Sequence, residues 1–236
     1  MSVEIETFAS PAKWAAACAD RMTDALAGAL ADRPRAIFAG SGGSTPGPVY
    51  AAMREADLDW SRITVTLVDE RHVPENSPES NATLLKTSLP VGPGKADFIP
   101  LYSPAVTVDR AAAVATQALA GQTDRLDAAL LGMGEDGHIL SMFPESPTLK
   151  TLLIPTLTPA IFGVPAGRDG LAPSRERLSM NLPWLMTCGT VVMALTGSAK
   201  RKVFEDQVMS DPALVPVAAL AAHIPHLQVL WTEQSE

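Results

Sequence analysis

His138 stands in the stretch LLGMGEDGHILSMFP (130–144), in a glycine-rich turn behind an apolar run, with Asp136 two residues before it. An imidazole suits general-base work at neutral pH, and a carboxylate that near, in a turn that curls, holds one tautomer. The same stretch matches Gly-x-Gly-x-x-Gly at Gly132, Gly134 and Gly137. Glu135 and Asp136 fill the middle of that pattern and would repel a pyrophosphate, and no acid-tipped strand follows at the spacing a dinucleotide site requires. The glycines are therefore read as shaping the turn that carries Asp136 and His138, the pair expected to do the proton chemistry.

Three other stretches offer charge or backbone amides. FAGSGGSTPGPVYAAM (38–53) reads as strand, glycine turn, helix. Gly42 and Gly43 let the backbone approach a ligand. Ser44 or Thr45 is expected to cap the helix, with Pro46 in its first turn. Free amides and the helix dipole then make an anion site. No Gly-Lys-Ser/Thr follows, so this is not a Walker loop, and Thr45 stands where a Rossmann pattern needs its third glycine. A rival lies in AGSGG (39–43), which resembles a nucleophile elbow with Ser41 as nucleophile and His223 or His226 as its base. LVDERHVPENSPESN (67–81) gathers Asp69, Glu70, Arg71 and His72 at a strand end. The planar fork of Arg71 suits a phosphate, Asp69 can orient a hydroxyl or move a proton, and His72 reads as a surface residue. In TGSAKRKVFED (196–206), Lys200 falls in the first turn of a helix, where a cation is unfavourable unless an anion offsets it. Lys200 is thus a further phosphate contact, with Arg201 and Lys202 facing solvent.

Positioning these residues is the work of alternating elements. Short apolar runs at 35–40, 63–69, 127–134, 190–197 and 227–232 read as strands, with a weaker one at 97–102. Helical patterns lie at 46–57, 78–88, 108–121, 198–209 and 212–222. Before the first of these strands, 11–32 reads as a helix, with Trp14, Cys18, Met22, Leu26 and Leu30 in one stripe behind Ser10 and Pro11. Such alternation predicts an α/β fold, a three-layer α/β/α arrangement with a mostly parallel sheet. Ligands of such sheets bind at the carboxyl ends of strands, and every motif above falls at one. Residues 1–236 are expected to form one domain, with a Pro/Gly-rich flap at about 144–176.

Composition narrows the partners. The net charge of −8 disfavours nucleic acid or an anionic membrane as the main partner, so positive charge for an anionic ligand must be local. Cys18 and Cys188 form no CxxC or Cys/His cluster, so no zinc framework, metal or other cofactor is expected. The start MSVEIETFAS has no apolar signal core, and no run of about 18 uninterrupted apolar residues occurs. The cytoplasm is the expected location.

SGGSTP (41–46), VDERHVP (68–74) with SN (80–81), LLGMGEDGHILSMFP (130–144), RLSMNLPWL (177–185) and TGSAK (196–200), in that order, resemble the 6-phosphogluconolactonase family, within the larger glucosamine-6-phosphate isomerase/lactonase superfamily. The resemblance implies a small phosphosugar lactone as substrate, hydrolysed by base-activated water in the pentose phosphate pathway without a cofactor. It implies that Gly42, Gly43, Ser44 and Thr45 hold the phosphate, that Arg71 and Lys200 add charge to it, that His138 is the base and that Arg177 lines the site. Asp69 matches a proton-transfer aspartate of the related deaminases, and Asn81 orders its loop. The run APSRERLS leaves Arg175 and Arg177 as alternatives, and 145–170 matches poorly. A glucosamine-6-phosphate deaminase would carry a carboxylate five residues after the histidine. Phe143 stands there instead, with Glu145 two positions on. A sugar-phosphate sensor or other non-catalytic binding protein is the third reading; the sensor's DNA-binding module has no room ahead of residue 35.

Overall fold

A computed structural model of the chain describes residues 3–104, 107–144, 146–167 and 173–233. Among these residues, seven strands form one parallel sheet. They are β1 (Ile5–Phe8), β2 (Ala36–Gly40), β3 (Ile63–Leu67), β5 (Asp97–Phe98), β6 (Ala128–Leu131), β9 (Thr190–Thr196) and β10 (Leu227–Thr232), in the spatial order β1-β10-β9-β6-β2-β3-β5. A three-stranded antiparallel sheet, β4-β8-β7, comprises β4 (Asp69–Arg71), β8 (Arg177–Met180) and β7 (Ile161–Val164). The helices are α1 (Pro11–Asp32), α2 (Gly47–Arg54), α3 (Asn81–Ser88), α4 (Val108–Ala120), α5 (Leu149–Leu152), α6 (Leu182–Met186), α7 (Ser198–Gln207) and α8 (Pro216–His223).

The three-layer arrangement follows from burial. Every residue of β2, β3 and β6 is buried, so helices must cover both faces of the sheet. Helix α1 lies across β1, β10, β9, β6 and β2. Its stripe of Trp14, Cys18, Met22 and Leu26 is buried, and Ser10 Oγ accepts from the Lys13 amide at 3.4 Å. Trp14 Nε1 donates to the Leu230 carbonyl at 3.0 Å, fixing the helix to β10.

Register brings the strand ends together. Gly40 pairs with Leu67 on one side and Leu130 on the other. The glycine turn after β2, the acidic–basic run after β3 and the histidine turn after β6 therefore emerge side by side. Val68 is the joint between the sheets: its amide donates to the Gly40 carbonyl at 3.0 Å, and its own carbonyl accepts from the Met180 amide at 2.9 Å.

Several expectations are corrected. A strand, β1, precedes α1 and forms the sheet edge beside β10, so the first strand is not the one near residue 35. Its two central residues, Glu6 and Thr7, are exposed, and four residues at an edge leave no periodic signature. The run 63–69 is not one strand: it breaks at Val68, and Asp69 belongs to the second sheet. Helix α8 starts at Pro216 rather than 212, since Pro cannot supply an interior amide and sits in the first turn. Within 144–176, α5 and β7 bury Leu149, Leu152, Leu153, Ile161 and Val164 in the same apolar cluster as the main sheet. Glu145 and residues 168–172 of that stretch lie outside the described residues.

Candidate active site

The histidine turn is a tight loop. The Gly134 amide donates to the His138 carbonyl at 2.9 Å, the Gly137 amide to the Gly134 carbonyl at 3.1 Å, and Met133 bridges Ile139. Asp136 Oδ1 lies 2.6 Å from His138 Nδ1 and also accepts the His138 backbone amide at 3.1 Å. That bond assigns the proton on Nδ1 and leaves Nε2 as the basic nitrogen. Desolvation pushes the Asp136 carboxyl up, but hydrogen bonding and charge from His138 outweigh it, so its pKa falls below the ordinary value. Two glycines are constrained, Gly134 by close packing and Gly137 by its positive φ. A Cβ on Gly134 would lie 2.3 Å from the imidazole; one on Gly137, at φ +87°, would lie 2.2 Å from Gln207 Oε1. Leu140 just beyond has φ +56°, a left-handed backbone rarely adopted by a side chain of its size.

The turn after β2 follows the same steric logic. Gly43 has φ +90°, and a Cβ on Gly42 would lie 1.8 Å from Asn81 Oδ1. The expected cap is corrected: Pro46 precedes α2, and neither Ser44 nor Thr45 bonds back to it. Ser44 and Thr45 line the cleft instead, and the first amides of α2 receive no side-chain cap. An uncapped helix start beside a glycine turn is a place for an anion.

Around this turn stand the cations. Arg71 Nη1 donates to the Glu79 carbonyl, while Arg71 Nε is buried without a partner among the described residues. Arg177 Nε is in the same state, with Arg177 Nη1 3.9 Å from Asp69 Oδ2. Burial lowers the Arg177 pKa; Asp69 pulls it back up and Arg71 adds to the drop. Asp69 is itself buried, accepting from Ser141 Oγ at 2.6 Å. Lys200, the third residue of α7, faces the same space.

These residues meet in one cleft of about 200 Å³, lined by Gly42, Gly43, Ser44, Thr45, Asp69, Arg71, His138, Arg177 and Lys200. Asp136 sits behind His138. The choice between the two arginines falls to Arg177, because Arg175 Nε pairs with Glu79 Oε2 at 2.6 Å, where both side chains are exposed. His72 is corrected from a surface residue to a largely buried one: its ring packs 5.4 Å from that of Tyr102, and Nδ1 lies 3.3 Å from Glu176 Oε2. The nucleophile-elbow reading of Ser41 is overturned. His226 Nε2 is 2.9 Å from the Cys188 carbonyl, just before β9, and His226 itself just precedes β10. His226 is level with Phe38 by register and stands three strands away from β2, about 14 Å to the side at about 4.8 Å per strand and out of reach of Ser41. Ser41 also lacks the positive φ of a strained elbow.

Two contributors were not assigned from sequence. Glu70 is completely buried and accepts from the Arg71 and Asn81 amides, at 2.7 and 2.8 Å, on one oxygen. Its other oxygen accepts from Ser80 Oγ and the Ala82 amide, at 3.0 and 2.8 Å. It thus caps α3 from outside and ties Arg71 to Asn81. Burial raises the Glu70 pKa against the pull of those four bonds. Phe143 stacks on His138, ring centroids 4.3 Å apart. The only sequence signal for Phe143 was its place five residues after His138; Glu70 had none beyond its neighbours. Among the described residues there is no group of His, Cys, Asp and Glu placed to hold a metal ion, and no helix is long and apolar enough to cross a membrane.

Fold and cleft define a class: an open parallel α/β protein whose strand-end turns bring a glycine turn, an aspartate-bonded histidine and three cations to one cleft. The chain belongs to the glucosamine-6-phosphate isomerase/6-phosphogluconolactonase family, whose model matches residues 9–231. It is 37% identical over 234 residues to a 6-phosphogluconolactonase of Rhizobium meliloti (strain 1021), covering 98% of this chain and 99% of that protein. A 6-phosphogluconolactonase of Mesorhizobium japonicum is 38% identical over 218 residues, covering 92% and 90%. The crystal structure of a 6-phosphogluconolactonase from Shewanella baltica OS155 superimposes with a TM-score of 0.88 at 26% identity, covering 98% of each chain.

Proposed function

We propose that this chain is an enzyme that hydrolyses 6-phospho-D-glucono-1,5-lactone to 6-phosphogluconate, the lactonase step of the pentose phosphate pathway. The observation that carries this reading is the His138–Asp136 pair opening on the same cleft as the uncapped start of α2 and two guanidinium groups with unmet donors. The substrate phosphate is bound by the Gly42–Thr45 backbone, Arg71 and Lys200, with the lactone ring lying toward His138. His138 Nε2 takes a proton from water as the water oxygen bonds to C1. Arg177, which shares the Phe143 ring with His138, faces the negative charge that develops on the carbonyl oxygen. The C1–O5 bond then breaks, and O5 takes the proton from His138, giving the open acid. Asp69, held by Ser141, accepts a hydroxyl of the sugar. Binding energy from the distant phosphate holds the carbonyl in place. The chain acts as one domain in the cytoplasm, without a cofactor or a nucleic-acid partner.

The test is a titration at constant pH of fresh 6-phosphogluconolactone, corrected for spontaneous opening, beside unphosphorylated gluconolactone and glucosamine 6-phosphate. Acid release is expected to be fast with the phosphorylated lactone and much slower without the phosphate, with no ammonia from the amino sugar. A folded protein that does not exceed the spontaneous rate on the phosphorylated lactone refutes the reading.

A further inference from the structure

Phe143 carries no polar group, yet its ring meets two polar side chains of the cleft. The ring stacks on His138, with 4.3 Å between centroids and 27° between planes. The guanidinium carbon of Arg177 stands 5.5 Å from the centroid of that same ring. Backbone bonds anchor the residue on both sides: the Met142 amide donates to the Ile139 carbonyl at 2.9 Å, and the Phe143 carbonyl accepts the Ser146 amide at 3.1 Å.

We infer that Phe143 is the positioning residue that sets the plane of the His138 imidazole and keeps Arg177 alongside it. The bond from Asp136 holds His138 at Nδ1, and with Cβ fixed by the chain the freedom left is rotation of the ring plane about the line from Cβ to Nδ1, which moves Nε2. A flat ring against the imidazole face removes that rotation, so an in-plane bond and a face contact together fix where Nε2 points. Arg177 is equally under-held by hydrogen bonds: its Nε has no partner among the described residues, and Asp69 is 3.9 Å away. The π-face of Phe143 is the surface on which that guanidinium rests. One ring thus sets the spacing between His138 and Arg177. Leucine fills much of the same space but offers no flat face.

The inference deepens the lactonase reading, so its test has one arm that is independent of turnover. In that arm, NMR follows the His138 ring protons, assigned by their loss in His138→Ala. The stack displaces them upfield of those of His223 and His226; Phe143→Leu abolishes the displacement and Phe143→Tyr keeps it. In the kinetic arm, Phe143→Leu is expected to lower kcat about 10- to 100-fold while KM changes less than about threefold. Phe143→Tyr restores kcat to within about threefold of wild type. The melting temperature of each variant stays within about 5 °C of wild type, because the site is only half-buried; should the Leu variant fail to fold, Phe143→Met takes its place. Wild-type protein without the upfield displacement overturns the inference whether or not lactone is turned over. So does a folded ring-less variant with unchanged kcat, or an equal loss in the Tyr and Leu variants.

Discussion

At the scale of single residues the site depends on atoms that cannot be added as much as on those present. A methyl group at position 134 would occupy the place of the imidazole. Gly134→Ala is therefore expected to lower kcat at least about 100-fold, by displacing His138, while the protein stays folded; a kcat within threefold of wild type would show that the turn gives way at no cost. Asp136→Asn replaces a carboxylate that faces Nδ1 with an amide that can present its NH2 group there. The expected loss is about 10- to 100-fold in kcat with little change in KM, read from saturation curves of both proteins. The sign of its pH effect follows from the lowered pKa of Asp136. Any stability from this pair is present above the ordinary carboxylate pKa and is lost as pH falls through the lowered value. It is small, since Asp136 is about half exposed. The convergence of His138, Arg71 and Lys200 on one cleft, with Asp136 bonded to His138, was legible in sequence because glycine turns and strand ends flag it locally. Glu70 was not: its partners Ser80, Asn81 and Ala82 lie ten to twelve residues on, and no local pattern reports which carboxylate folds inward.

Among the elements, α3 and β4 show how a loop is held without regular pairing. Glu70→Ala would leave three amides and a hydroxyl without their acceptor and is expected to destabilise the fold by at least about 2 kcal/mol. It should also raise KM for the phosphorylated lactone more than it lowers kcat, because Arg71 and Asn81 lose their tether. Glu70→Gln isolates the charge. With its pKa raised, Glu70 contributes stability below the unfolded value that disappears as pH rises through the folded value. The Gln variant should lack that slope in urea unfolding across the acid range, and an unchanged slope would assign it elsewhere. Elements with a full period were readable: α1 occupies the residues its apolar stripe marked, and β10 spans 227–232 as expected. The second sheet was not readable. Strands of three and four residues are too short for a period, and β4 follows β3 with only Val68 between them, so the two read as one run. Arg175 and Arg177 separate because the second lies within β8, whose pairing with β4 sets it opposite Arg71, while the first pairs with Glu79 at the surface.

The whole molecule sets a local field against a global one. The chain carries a net −8, yet its cleft gathers Arg71, Arg177 and Lys200 around an uncapped helix start. Salt screens such an attraction. KM for the phosphorylated lactone should therefore rise steadily between low and physiological ionic strength, with kcat unchanged and unphosphorylated lactone unaffected; a flat KM would mean that contact geometry, not field, holds the phosphate. The proposed mechanism turns on one proton transfer, and the direct test of it is His138→Ala. Rates of 6-phosphogluconolactone opening would be measured for wild type and variant, each corrected for spontaneous hydrolysis. Large acceleration by wild type is expected, with a fall of about 100- to 10,000-fold in kcat for the variant and KM little changed. A folded variant that keeps wild-type kcat would contradict the proposed mechanism.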